Sequence, residues 1–164
     1  MIADLNKYCA KELLQLFSEL IEALRNKELI RSTNNPVADF TEYLVAKTFG
    51  YSLENNSKEG FDAIDKTGIK YQIKGRRIHS RNNSRQLGVI RNLDKKHFDF
   101  LIAVIYGEDF SLLEAYQIPY DLILPYSRFS EHQNGNILIL RGAILAEKEV
   151  LKIDNELRET YAHL

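Results

Sequence analysis

The sequence predicts an α/β domain, with helices packed on a central β-sheet, and three observations carry that expectation. Residues 3–30 and 36–49 repeat apolar side chains at helical spacing, and after Gly50 the pattern switches to alternation. Residues 98–106 (Phe-Asp-Phe-Leu-Ile-Ala-Val-Ile-Tyr) then form an apolar run of strand length, with Asp99 near its start. With 164 residues, 45% hydrophobic and 27% charged, the chain has apolar material for one core. A single domain over 1–164 is therefore expected, divided into an N-terminal helix (1–31), a core (36–118) and a C-terminal strand and helices (119–164).

The first helix, 3–30, places Leu13, Phe17, Leu20, Ile21 and Leu24 on one stripe, which marks it as packing material or a dimer surface. The segment Ser32-Thr33-Asn34-Asn35-Pro36 breaks it. Asn35 is expected as N-cap of the second helix and Pro36 as its first residue, and Gly50 ends it. Alternation over 51–54, 61–65 and 69–75 predicts three successive antiparallel strands. Between the last two, Asp65-Lys66-Thr67-Gly68 has Asp at the first and Gly at the last position of a type I turn closing a hairpin. In that register Asp62 lies opposite Gln72. Residues 78–86, rich in Arg, Ser and Asn without an apolar period, read as a wet loop or strand edge. The run 98–106 belongs in the middle of the sheet, because only a strand buried on both faces is apolar throughout. A strand at 112–118, a short helix at 120–124, a strand at 136–140 and a final helix over 147–161 complete the chain, with no internal repeat.

Composition removes several classes. The 8 Gly and 3 Pro are too few for a linker-rich protein, and the lone Cys9 excludes an intramolecular disulfide framework or a cysteine-clustered zinc site. A charged N-terminus and the absence of any window near ~20 apolar residues predict a cytoplasmic protein with no membrane partner. His79, His97, His132 and His163 lack metal-ligand spacing, Ser111, Ser127 and Ser130 lack a nucleophile elbow, and there is no glycine-rich phosphate loop. Arg128 and His132, four apart, read as a helix-end cap.

Net charge is −1, but it is unevenly divided. Residues 70–96 hold nine bases (Lys70, Lys74, Arg76, Arg77, Arg81, Arg85, Arg91, Lys95, Lys96) against Asp94, so this stretch carries +8 and the remainder −9. One sign concentrated over 27 residues repels itself or faces an anionic partner, most commonly a phosphate backbone.

Polar groups converge at one end of the expected hairpin. Glu42 shares a helix side with Ala38, Val45, Ala46 and Phe49, at the edge of an apolar arc, where an ionised carboxylate needs a cation, donors or a raised pKa. It could equally reach water or pair with a lysine. Asp62 and Gln72 face each other, and Lys74 is one strand step further on the same face. The Asp62 carboxylate, the Gln72 carboxamide and the Ile73 carbonyl are oxygen donors of the kind Mg²⁺ takes. Asp65 is assigned to the turn.

The run Glu42, Gly60-Phe61-Asp62-Ala63-Ile64-Asp65 and Tyr71-Gln72-Ile73-Lys74-Gly75-Arg76-Arg77 resembles the active-site signature of the PD-(D/E)XK nuclease superfamily. In that family a helix acid precedes a strand acid, and a Glu or Gln, any residue, then Lys follows on the next strand. The resemblance covers about residues 36–77. It implies a restriction endonuclease-like core, a mixed central β-sheet flanked by α-helices, with the long N-terminal helix as an addition. Phe61 stands where many members have Pro, and Gln72 replaces the commoner acid, so the site has one negative charge fewer.

Carried over, the resemblance makes 36–118 the catalytic core, with Asp62, Gln72, Lys74 and Glu42 as catalytic residues. Asp62, Gln72, Ile73 and Glu42 would hold Mg²⁺, with Mn²⁺ as a substitute, and Lys74 would position the attacking water. The reaction implied is hydrolysis of a phosphodiester in double-stranded DNA, in a restriction or other defence role. Arg76, Arg77, Arg81, Arg85 and Arg91 would hold the backbone, while Asn82, Asn83, Ser84 and Gln86 could contact base edges. Two cuts on a duplex commonly need two sites, so a homodimer through the first helix is expected. The alternatives are a catalytically inactive nucleic-acid-binding module of the same fold and a protein-interaction subunit docking through the first helix.

Overall fold

The computed structural model describes residues 4–55 and 60–164. In chain order they form α1 (Ala10–Asn26), α2 (Val37–Phe49), β1 (Ser52–Leu53), β2 (Ala63–Ile64), β3 (Lys70–Arg77), β4 (Phe100–Tyr106), β5 (Leu112–Pro119), α3 (Tyr120–Tyr126), β6 (Ser127–Ser130), β7 (Gly135–Leu138), β8 (Leu151–Lys152) and α4 (Asp154–Tyr161). Six strands make one sheet in the order β1-β2-β3-β4-β5-β8, and β6 and β7 form a separate hairpin. Only β3 and β4 run parallel; the other neighbours are antiparallel, so the sheet is mixed.

The apolar run of β4 explains the layering. Leu101, Ala103 and Ile105 point into a core closed by Ile123 of α3 and Leu138 of β7. Ile102, Val104 and Tyr106 point the other way, against Leu44 and Val45 of α2 and Leu157 of α4. Each face of the strand is thus covered by its own layer, as its lack of polar alternation requires.

Helix α2 starts as expected to within one residue: the Asn35 side chain accepts the Val37 N–H at 3.1 Å, and Pro36 takes helical angles just before the first full turn. Gly50, with φ +69°, ends it in the left-handed conformation that glycine adopts without steric cost. The hairpin register is the expected one. Ala63 pairs with Tyr71 and Ile64 with Lys70, and the Asp62 N–H donates to the Tyr71 carbonyl at 2.8 Å, so the next step sets Asp62 across from Gln72. Asp65 serves the turn: its Oδ1 accepts the Thr67 N–H at 2.8 Å and the Ile69 N–H at 3.0 Å.

Three expectations are corrected. The first helix is shorter than 3–30: Ala3 lies outside the described residues, and a 3₁₀ turn at Leu5–Lys7 precedes α1. Glu12 sets the start of α1 by accepting the Cys9 N–H at 2.8 Å. Of its stripe Ile21 is buried, whereas Phe17 is 57% and Leu20 62% exposed, so much of the stripe is left uncovered. The helix expected over 147–161 is replaced in its first half by a turn and then β8, which pairs with β5; just beyond it the Ile153 N–H donates to the Ala115 carbonyl at 2.9 Å. Helix α4 then begins where Asp154 and Glu156 put negative charge in its first turn. Strand β6 had no sequence signal of its own, because Ser-Arg-Phe-Ser alternates weakly and is a strand only through its pairing with β7. Arg128 therefore sits on a strand opposite Ile137 and is not a helix-end cap. Among the described residues no helix is long and apolar enough to cross a membrane.

Candidate active site

Strand alternation divides β3 between two environments. Tyr71 and Ile73 are buried beneath α2, while Gln72 and Lys74 are half-exposed and line a cavity of about 220 Å³ together with Arg91 and Asn92. The close approach of α2 to β3 depends on Gly75. A Cβ there would run into the Thr41 hydroxyl and lie 3.0 Å from Val37 Cγ1 and the Val37 carbonyl. Glu42, one residue beyond Thr41, is brought to the edge of the hairpin by that contact.

Asp62 is the centre of the cluster. Its Oδ2 accepts the Ile73 N–H at 2.6 Å and the Gln72 side-chain amide, two donors that hold the carboxylate in one orientation. Burial pushes its pKa up; the charge of Lys74, the Ile73 N–H, Gln72 and Arg31 oppose that rise. Glu42 faces Asp62 across a cavity of about 90 Å³ that also borders Asp39, Glu54 and Phe61. Burial and then the neighbouring Asp62 charge raise the Glu42 pKa to about 7, against the pull of Arg31.

Arg31 is the cation that the sequence demanded for Glu42 without identifying. Its guanidinium pairs with Glu42 and donates to the Glu54 carbonyl at 2.7 Å. Asp39 fixes the approach of Arg31, accepting the backbone N–H of Arg31 at 2.9 Å and of Ser32 at 2.6 Å. The available signal was a base placed just before the second helix, within reach of its inward acid.

Asp62 thus links the predicted residues: it borders Glu42 in the smaller cavity, bonds Gln72 and feels the Lys74 charge, while Gln72 and Lys74 themselves line the other cavity. Ile73 contacts Asp62 through its N–H, where its carbonyl had been expected to matter. Two carboxylates across a small polar cavity, one of which raises the proton affinity of the other, with a carboxamide beside them, form an oxygen donor set of the kind a hard divalent cation takes. The residues therefore fit Mg²⁺ held by Asp62 and Glu42, with Gln72 alongside. Among the described residues no three His, Cys, Asp or Glu gather as a ligand cluster, so a third protein oxygen would come from the Gln72 amide or a backbone carbonyl.

The basic tract is only partly gathered. Arg91 joins Lys74 in the second cavity. Arg76 braces the loop, donating to the Ser84 carbonyl at 2.9 Å and to Asn82 Oδ1 at 3.3 Å, and leaves Arg81, Asn82, Asn83 and Ser84 exposed. Two arginines do not fit the expected backbone contacts. Arg77 lies on the opposite face from Arg76, its guanidinium 4.6 Å from the Phe110 ring centroid, because successive strand residues alternate. Arg85 is committed to an ion pair with Glu114 and to the Leu140 carbonyl at 2.7 Å, and that pairing holds the Glu114 carboxyl below its usual range. Gln86 is half-buried, its backbone bridged to Ile139.

The Glu42 shift sets a pH dependence of stability in metal-free protein. Below the unfolded value of 4.5 both states carry the proton; as pH rises toward 7 the unfolded chain ionises while the folded one holds its proton, so stability falls across that window. The loss expected by about pH 8 is on the order of 2 kcal/mol, and Glu42→Gln removes that component. Urea midpoints of the two proteins that run parallel from about pH 5 to pH 8 would contradict this.

Comparison of the chain with models of known protein families finds no match, and comparison with curated proteins finds no significant relative.

Proposed function

We propose that this chain is a Mg²⁺-dependent endonuclease with a restriction endonuclease-like core, acting on double-stranded DNA in a restriction or other defence role. The observation that carries the reading is the juxtaposition at Asp62: a half-buried carboxylate oriented by two donors, facing Glu42 and coupled to the Lys74 charge. A divalent cation bound there supplies positive charge against that developing on a phosphodiester and acidifies water. Ile73 and Gln72 keep the Asp62 oxygens aimed, Lys74 orients the attacking water and donates to a phosphate oxygen, and Arg91 holds the scissile strand. Incubation of supercoiled plasmid with the purified protein is expected to give nicked and linear products with Mg²⁺ or Mn²⁺ and none with a chelator; intact plasmid under every metal condition would overturn the reading.

A catalytically inactive nucleic-acid-binding module is the second reading, and one observation favours it: Arg31 already balances the Glu42 charge without a metal. It predicts salt-sensitive DNA binding and no heat of Mn²⁺ binding.

The exposed face of α1 supports a homodimer, since Leu14, Phe17 and Leu20 are 57–70% exposed along one helix. Light scattering is expected to give twice the 19.0 kDa chain mass, falling to one chain for a Leu14→Ser, Phe17→Ser, Leu20→Ser variant of unchanged thermal midpoint; a monomeric wild type would contradict it.

A further inference from the structure

On the sheet face covered by α3 and the β6–β7 hairpin lies a larger cavity, about 520 Å³, whose lining differs in kind from that of the Lys74 cavity. Its walls are Tyr120, Leu124 and Phe129, and its polar groups are the amides of Asn92, Asn134 and Asn136 with the Asp94 carboxylate. Phe129 is 59% exposed and Leu124 64%, so a wide apolar surface is left uncovered at a site rimmed by neutral donors and acceptors. The Tyr120 hydroxyl is bonded to the Leu93 carbonyl, which fixes the ring at the cavity wall, and Lys96 Nζ lies 5.2 Å from the ring centroid. The site is built on rigid backbone: Asn136 and Ile90 exchange hydrogen bonds of 2.8 and 2.9 Å, and the Asn136 amide donates to Ser127 Oγ at 3.1 Å.

Asn92 borders both this cavity and the one holding Lys74 and Arg91. A cationic compartment suits a phosphate; the adjoining one, with amides, aromatic rings and a single acid, repels anions and matches a heterocycle with hydrogen-bonding edges. We propose that the larger cavity binds one unpaired nucleobase, extruded from its stack, whose own phosphate rests at Lys74 and Arg91. The proposal rests on the nucleic-acid reading given above. Asp94 can only accept hydrogen bonds when ionised, so the base preferred is one with an exocyclic amine, cytosine, adenine or guanine, over thymine. Stacking on Phe129 supplies affinity independent of base identity.

Titrations of the wild-type protein with dCMP, dAMP, dTMP and deoxyribose 5-phosphate, followed by amide NMR, test this. The side-chain amides of Asn92, Asn134 and Asn136 are expected to shift with dCMP and dAMP, which bind about tenfold more tightly than the base-free sugar phosphate. Phe129→Ala, at an exposed position, is expected to erase that difference. Equal affinity for all four ligands with unmoved asparagine amides, or an unaltered preference in Phe129→Ala, overturns the proposal. A gel shift of the same preparations with a mixed-sequence duplex separates the two levels: duplex binding without nucleotide contact at the asparagines ends the base-pocket proposal alone, whereas no binding of duplex or nucleotide ends the nucleic-acid reading with it.

Discussion

Asp62→Asn is expected to lower Mg²⁺-dependent cleavage by about 10³-fold or more, equivalent to about 4 kcal/mol of transition-state stabilisation, while leaving the protein folded and no less stable than the wild type. The two effects have one cause. Burial disfavours the ionised form of Asp62, so the carboxylate is held at a cost to the fold. The Asn carbonyl still accepts the Ile73 N–H that Asp62 Oδ2 accepts at 2.6 Å, so the hairpin keeps its register. What is lost is the negative charge that a divalent cation needs. Lys74→Ala is expected to lose about 10²-fold in turnover with little change in metal affinity, because the lysine acts on water and phosphate. A carboxylate of purely structural use gives the opposite pattern: Asp62→Asn then destabilises, and cleavage follows the folded fraction. Plasmid cleavage and urea midpoints on the same preparations distinguish the two.

Gly75→Val is expected to cost about 3 kcal/mol or more in the urea midpoint, and to reduce cleavage even where the protein remains folded. The added side chain meets the Thr41 hydroxyl, which is fully buried and bonded to the Val37 carbonyl, and then Val37 itself, so the whole first turn of α2 has to move. Glu42 follows Thr41 directly in the next turn, so the displacement also opens the gap to Asp62. Gly88→Ala is the control, since a Cβ there meets only Lys74 Cδ, at 3.7 Å, an ordinary contact. Equal midpoints for Gly75→Val and wild type would mean that α2 does not rest on β3 as closely as described.

How far the sequence could be read depended on whether a signal was local. The hairpin was legible because turn chemistry at Asp65 and Gly68 fixes register, and register fixes which residues face each other. The place of β4 was legible because an apolar run without alternation has one home, between two layers. Features made by distant pairing were not. Nothing within residues 147–153 shows that Leu151 and Lys152 have β5 to pair with, and nothing in Ser127–Ser130 shows that β7 returns beside it. In the site, the need of Glu42 for a cation followed from its helical position, but Arg31 reaches it only because the chain before α2 is pinned by Asp39. The basic tract was legible as composition and not as surface: alternation sends Arg77 away from Arg76, and Glu114, distant in sequence, takes Arg85.

The central claim, that Asp62 and Glu42 hold a divalent cation within reach of Lys74, is tested most directly by anomalous scattering from crystals grown with Mn²⁺. The account predicts a single strong peak between the two carboxylates, with the Arg31 guanidinium withdrawn from Glu42. A structure with Mn²⁺ in the crystallisation medium, the Arg31–Glu42 pair intact and no peak near Asp62 would contradict it.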